Sequence, residues 1–381
     1  MSDVSNPFLI YAYAGPKYFC DRIEETEHLI SALRNGRNVT LMSPRRMGKT
    51  GLIQNVFHQI RRDYPEAVCF YMDIFSTTCL DDFIIQFGQT VIGKLDNLSQ
   101  KTLAAISGFF KSCRLVFSPD VLTGVPQATL DFQPSQAQAT LKEIFDYLEH
   151  SGKECYIAID EFQQITEYPE KGVEGLLRSY IQFLPHVHFI FSGSKQHLMA
   201  EMFGSAKRPF YRSTEKMNLT SIPLEHYSLF AIRWMQAGGK DLSDELFQMI
   251  YQRFNGHTWY IQSVFYLAYY MTTDICTAEI IRNAIEKKLD DSGEIYESIL
   301  YGIPEKQRGL LKALACEGKA ERIQSGAFIK KYNLSSASSV QSAAKRLLDS
   351  DLITTENNNF YSISDRFLAM WLKRKLCLNW I

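Results

Sequence analysis

Residues 38–52 read NVTLMSPRRMGKTGL. An apolar run leads into a turn that closes on Gly48, Lys49 and Thr50. From there Leu52, Ile53, Val56, Phe57 and Ile60 recur at three and four residues, which predicts a helix from Lys49 to about Arg62 with one buried face. Strand, glycine-containing loop and helix in that order aim backbone N–H groups and the positive end of a helix dipole at an anion. In such a loop Lys49 would add a point charge to the β- and γ-phosphates of a nucleotide, the Thr50 hydroxyl would hold Mg2+, and Gly48 lets the backbone come close. The glycine usual five places before Gly48 is here Ser43, which restricts the first turn but removes no donor; Pro44 lacks an N–H only at the outer end, so the donors at 47–51 survive. The expected phosphate cradle is therefore Ser43, Pro44, Arg45, Arg46, Met47, Gly48, Lys49, Thr50 and Gly51. Two arginines, a lysine and a helix N-terminus crowded together repel one another unless an anion is present. The alternative is a solvent-exposed loop with ordinary charges.

Two further stretches carry the same chemistry. In CYIAIDEFQQI (155–165) an apolar run ends in Asp160 and Glu161, the C-terminal end of a predicted buried strand, where ligands bind in open α/β sheets. Asp160 would orient Mg2+ through its water shell, and Glu161 would take the proton of an attacking water. Singly, either acid could simply cap the next helix. In VHFIFSGSKQHL (187–198), Ser192 and Ser194 leave another strand end, where they sense a γ-phosphate, position a water, or cap the next helix.

Working outward, 20–35 (CDRIEETEHLISALRN) predicts a helix with Ile23, His28, Leu29, Ile30 and Leu33 at helical spacing, stopped at Asn35-Gly36. Further strands are predicted at 67–74, 154–160, 187–192 and 215–222, with helices at 80–95, 137–150, 173–184 and 195–203 between them. Strands alternating with helices and buried on both faces give an α/β fold, a parallel sheet with helices on each side in three layers. Residues 96–136, with turn signals SPD, TGVP and QPSQ, break the alternation and read as an insertion, a helix plus a hairpin. From 223 to about 292 the pattern is all-helical and rich in aromatics. After Gly293 three short helices, a strand, a polar turn (TTENNNF) and a second strand predict a winged helix-turn-helix. The domain boundaries that follow are 1–222, 223–292 and 293–381.

At 381 residues, with 46% apolar and 13% aromatic residues, the chain can fill two or three cores and is neither disordered nor fibrous. Net charge is −1, unevenly spread: residues 300–381 carry 13 Lys/Arg against 7 Asp/Glu, making that part +6 and the rest −7. The eight cysteines (20, 69, 79, 113, 155, 276, 316, 377) form no C-x-x-C pair and no zinc spacing, so they read as buried or inert thiols of a reducing compartment. With no basic-then-apolar leader and no bilayer-length apolar window, no membrane partner is expected, and the cytoplasm is the expected location.

The expected recognition helix, 336–348, offers Ser338, Ser339, Gln341, Ser342, Lys345 and Arg346 on its polar side, with Lys330 and Lys331 just before it. Such residues suit phosphate contacts and a few base edges of double-stranded DNA. The wing has no Lys or Arg and one Glu, so docking of a partner protein stays open beside DNA.

These motifs in this order resemble the archaeal-type ATPase family of P-loop NTPases. That family is related to the origin-recognition ATPases, the wider AAA+ class and the signal-transduction ATPases with numerous domains. Its phosphate loop often reads P-R-R-x-G-K-T, matched residue for residue by 44–50, so Ser43 is no departure within it. YFCDRIEE resembles its F-x-D-R-x-x-E segment, which implies that Asp21 and Arg22 lie near the adenine, with Asn6, Pro7 and Phe8 adding to that wall. RFNGHTWYIQ resembles the Gly-x-Pro turn of a helical lid, with Gly256 present but Thr258 in place of proline. SAKRPFYRSTEKMNL implies that Arg208 or Arg212 acts as arginine finger or sensor. FYSISDRFLAMWL resembles the usual ending of such winged helices, with Phe367, Met370, Trp371 and Leu372 docking it. The resemblance implies an ATPase switch with ATP and Mg2+ as ligands and a winged-helix output. The rival readings are a DNA-binding regulator that binds nucleotide without turnover, and a small-molecule kinase, for which no residues specify a second substrate.

Overall fold

Val39–Met42 (β1) is buried at all four positions and runs between two parallel partners, so its apolar pattern is that of a central strand. In the computed structural model, which describes residues 4–11, 13–92, 94–95, 106–119, 126–356 and 359–376, the chain divides into two units. The first is formed by 1–4, 11–227 and 257–259, the second by 5–10, 228–256 and 260–381.

In the first unit α1 (Ile23–Arg34), β1, α2 (Lys49–Asp63), β2 (Val68–Asp73) and α3 (Leu80–Val91) precede a hairpin of β3 (Arg114–Pro119) and β4 (Pro126–Asp131). Then follow α4 (Ala137–His150), β5 (Cys155–Asp160), α5 (Val173–Ile181), β6 (Val187–Gly193), α6 (Gln196–Gly204) and β7 (Glu215–Asn218). The five-stranded sheet has the order β2-β5-β6-β1-β7, and every pair in it is parallel. Register decides what meets at its C-terminal edge: Asp73 lies opposite Asp160, Leu41 opposite Ser192, and Met42 opposite Gly193. Each face carries its own core. One is rich in aromatics, Phe70, Phe83, Phe87, Phe145, Phe189 and Phe191 among them; the other joins Leu29, Leu33, Leu41, Leu52, Val56 and Phe57. Double coverage explains why β5 is buried throughout.

Two details differ from the sequence pattern, in α1 and in the last strand, while the described part of the insertion matches it. Ile23 is 64% exposed and His28 lies 2.5 Å from Glu215, so neither joins the core; Thr26 and Ala32 do, because the buried stripe of α1 is narrower than its apolar residues suggest. The last strand stops at Asn218, at the sheet edge, where only alternate residues are partly buried. Of the insertion, 96–105 and 120–125 lie outside the described residues; the hairpin is present, and 106–109 are helical. Leu130 of the hairpin presses so close to α3 that a Cβ at Gly88 would fall 2.2 Å from its Cδ1.

Beyond β7 the chain continues through helices α7 (Leu224–Ala237), α8 (Asp244–Arg253), α9 (Thr258–Met271), α10 (Ala278–Asp291) and α11 (Gly293–Gly302). Ser243 and Thr277 cap α8 and α10 by accepting from Leu246 and Ile280 N–H. Phe247 stacks on Phe265 at 5.3 Å, and Phe254 on Tyr260 at 5.6 Å. Then α12 (Glu305–Glu317), β8 (Ala320–Glu321), α13 (Gly326–Lys331), α14 (Ala337–Asp349), β9 (Ile353–Glu356), β10 (Phe360–Ile363) and α15 (Arg366–Leu376) complete a winged helix with a β8-β10-β9 sheet. Phe367, Trp371 and Leu372 are buried as expected, while Met370 is half-buried and Leu368 takes its place in the core. No helix among the described residues is long and apolar enough to cross a membrane. The described cysteines are free thiols, and burial pushes Cys155 up to about 12 and Cys69 and Cys113 to about 11.

Candidate functional site

The loop between β1 and α2 needs two left-handed residues. Gly48 has φ 97° with open space where a Cβ would be, and Arg46 has φ 65°. Lys49, at the start of α2, is 6% exposed and donates from Nζ to Ser43 O (3.2 Å), Ser43 Oγ (3.3 Å) and Pro44 O (3.3 Å), so the lysine closes the loop on itself. Burial pushes its ammonium below the usual lysine range; Asp160 and Glu161 oppose this.

Asp160, at the end of β5, is 4% exposed and well satisfied. Its Oδ2 accepts from Thr50 Oγ1 (2.9 Å) and from Tyr71 OH (2.8 Å), and its Oδ1 from the Glu161 N–H (3.1 Å). Burial, then the neighbouring Asp160 charge, pushes the Tyr71 phenol far up, so it remains a donor. Asp73 is raised too, by burial first and then by Asp160 and Glu161, against the Phe75 N–H that it accepts.

Glu161 has φ 54°, a left-handed conformation that a non-glycine residue adopts only under constraint. Its Oε2 accepts from Gln163 Nε2 (2.5 Å) and Ser194 Oγ (2.7 Å), and Arg45 Nε donates to the same Ser194 Oγ at 3.4 Å. The Ser192 hydroxyl is fully buried and has no hydrogen-bond partner among the described residues. The loop cations have local partners: Arg46 stacks on Trp259 at 3.9 Å and Arg45 faces Phe75 at 5.6 Å, while the Arg45 charge still adds to burial in lowering Lys49, against Asp160 and Glu161.

Several residues singled out in the sequence have other local partners. Arg208 pairs with Glu174 and, at 3.6 Å, with Glu201; Arg212 lies against Tyr211 at 5.1 Å. Asp21 and Arg22 both have positive φ; Asp21 meets His226 at 3.1 Å, and buried Arg22 binds Glu25 (2.7 Å) and Thr220 O (2.5 Å), which ties the start of α1 to the segment after β7. On the winged helix Gln341, Ser342, Lys345 and Arg346 are exposed together on α14, Lys330 is exposed, and Lys331 pairs with Glu317 at 2.6 Å. Arg374 meets Asp290 at 2.7 Å and Lys375 meets Glu297.

Sequence reasoning missed Tyr71, Gln163, Phe75 and Trp259. For Tyr71 the sequence carries half of the signal: strand alternation puts it on the same face as Asp73, but only the pairing of β2 with β5 brings it to Asp160. The others depend on loop paths that no local pattern encodes.

The residues fit a nucleoside triphosphate and a divalent cation. Open space at Gly48 gives a phosphate access to the backbone, Ser192 has an unused hydroxyl at the adjacent strand end, and Thr50 is already held by Asp160. Among the described residues no cluster of three or more His, Cys, Asp or Glu could hold a metal alone. A hard cation here would therefore complete its shell with water and phosphate oxygens, as Mg2+ commonly does.

Fold and site together define the P-loop NTPase fold, a parallel α/β core followed by helices and a C-terminal winged helix. The family model described as "Probable winged helix domain" matches residues 294–374. Over 96% of this chain and 99% of its own length, the Walker-type ATPase PABY2304 of Pyrococcus abyssi is similar at 16% identity and a TM-score of 0.65. The ORC2 protein of Aeropyrum pernix, solved in ADPNP-ADP complexes, is similar over 97% of this chain and 98% of its own, at 13% identity and a TM-score of 0.59. The ORC1 protein of Aeropyrum pernix, solved in complex with DNA, is similar over 97% and 96%, at 11% identity and a TM-score of 0.56. No curated protein matches the chain.

Proposed function

We propose that this chain is a cytoplasmic switch that binds and hydrolyses ATP and couples its nucleotide state to the winged helix. Its working parts are a core at 1–222, a helical lid at 223–292 and the winged helix at 293–381. The observation that carries the reading is the convergence of the loop after β1 with the end of β5: Thr50 donates to Asp160, 110 residues away, Asp160 accepts from the Glu161 N–H, and both acids act on the charge of buried Lys49. Residues 43–51 and Ser192 would cradle the phosphates, with Asp21 and Arg22 in the wall at the nucleoside end. Thr50 and Asp160 would hold Mg2+, which when bound neutralises phosphate charge. Glu161 would accept the proton of the attacking water, and Lys49 with an arginine would stabilise the developing negative charge. Arg212 or Arg208 is the candidate for that arginine; the two acidic partners of Arg208 favour Arg212. The test is phosphate release under excess Mg·ATP: Glu161→Gln should cut it by about 10²- to 10⁴-fold while nucleotide binding persists, and unchanged release would remove Glu161 from the mechanism.

The exposed polar face of α14 supports a second element, binding of double-stranded DNA through Gln341, Lys345 and Arg346, with Lys330 and Lys331 at its edge. A partner protein on the same face is the alternative. ATPase assays with and without duplex DNA at two salt concentrations separate them, because only stimulation by DNA should vanish at high salt.

A further inference from the structure

Gln163 belongs to the 3-10 helix Phe162–Glu167 that follows Glu161, and it is 3% exposed. Its Nε2 donates to Glu161 Oε2, while its own Oε1 is buried with no hydrogen-bond partner among the described residues. The opposite amide orientation would set a carbonyl oxygen against a carboxylate, so the nitrogen must face Glu161. A buried, unpaired amide oxygen is destabilising, and native structures keep one where another requirement outweighs it. The surroundings make room for this side chain: a Cβ at residue 193 would fall 2.3 Å from Gln163 Oε1 and 2.6 Å from Met199 Cγ, so only glycine fits at that point of β6. From the next residue along the same segment, Ser194 Oγ donates to the same Glu161 Oε2. Two donors, from the ends of two neighbouring strands, thus hold one oxygen of a residue whose backbone is already constrained at φ 54°.

We propose that Gln163 and Ser194 are positioning residues that grip Glu161 by Oε2 and leave Oε1 to accept the proton of the attacking water. The inference rests on the ATPase reading above. In the reaction, the water O–H bond breaks with its proton passing to Oε1, the water oxygen bonds to the γ-phosphorus, and the bond to the bridging oxygen breaks, giving ADP and phosphate.

Gln163→Met keeps the shape, removes the donor and removes the unpaired oxygen. In full-length protein it should lower kcat by about tenfold or more, with KM and ADP affinity unchanged and Tm unchanged or higher. A glutamine that served only packing would give the reverse, a lower Tm with kcat preserved per folded molecule, and that result would overturn the proposal. Ser194→Ala addresses the same oxygen and keeps the question decidable if Gln163→Met fails to fold: a lower kcat at constant KM is expected, and an unchanged kcat overturns it. Absence of phosphate release by the unmodified protein would remove the ATPase reading and this inference together. Normal release by the unmodified protein and by both variants would remove only this one.

Discussion

The strand-end site and the exposed face of α14 are both charged, and they handle charge in opposite ways. At the site Lys49 and Asp160 are nearly buried, and both have protein partners: Lys49 donates to Ser43 and Pro44, and Asp160 accepts from Thr50 and Tyr71. On α14, Lys345 and Arg346 are exposed to solvent. A buried ionic network is destabilising unless fully paired, so it persists only for a definite chemistry. An exposed basic face carries little structural consequence and commits the protein to much less. On the proposed reading the buried group therefore serves one ligand class, while the exposed face of α14 suits any acidic surface.

Breaking the buried side should have the largest effect. Asp160→Asn keeps an acceptor for Thr50 and Tyr71 but removes the charge, so ATP turnover should fall by about 10²- to 10³-fold with little loss of fold; near-normal turnover would mean that the network is structural. Gly193→Ala forces a methyl against Gln163 and Met199 and should destabilise the fold by about 1–3 kcal/mol in urea titrations. Tyr71→Phe removes one of the two hydroxyls on Asp160 Oδ2, and should weaken the Mg2+ dependence of nucleotide binding by about 1 kcal/mol while metal-free binding stays the same. The exposed side should respond least: Lys345→Ala with Arg346→Ala should leave stability within about 0.5 kcal/mol. If DNA is the partner, each removed phosphate contact should reduce the salt slope of binding by about 1, which a filter or anisotropy titration reads.

The same contrast explains what could be read in the sequence. The order strand, loop, helix around Gly48, and the acids ending an apolar run, are local patterns, and the structure forms those elements within a few residues of the expected ends. The winged helix was legible for the same reason, as three periodic segments and a hairpin. What could not be read is long-range: which strands adjoin β5, and hence that Tyr71 shares Asp160 with Thr50. That Phe75 and Trp259 offer aromatic faces to Arg45 and Arg46 is likewise invisible in the sequence, because both rings come from distant segments. Ile23 and His28 match helical spacing yet face outward, since spacing fixes a stripe but not which neighbour covers it.

The claim beneath all of this is that the loop after β1 grips a triphosphate. Isothermal titration of the full-length protein with Mg·ATP tests it most directly. Saturable one-site heat for the unmodified chain, lost in Lys49→Ala, is the predicted result; no heat at any concentration, or identical isotherms for the two proteins, would contradict it.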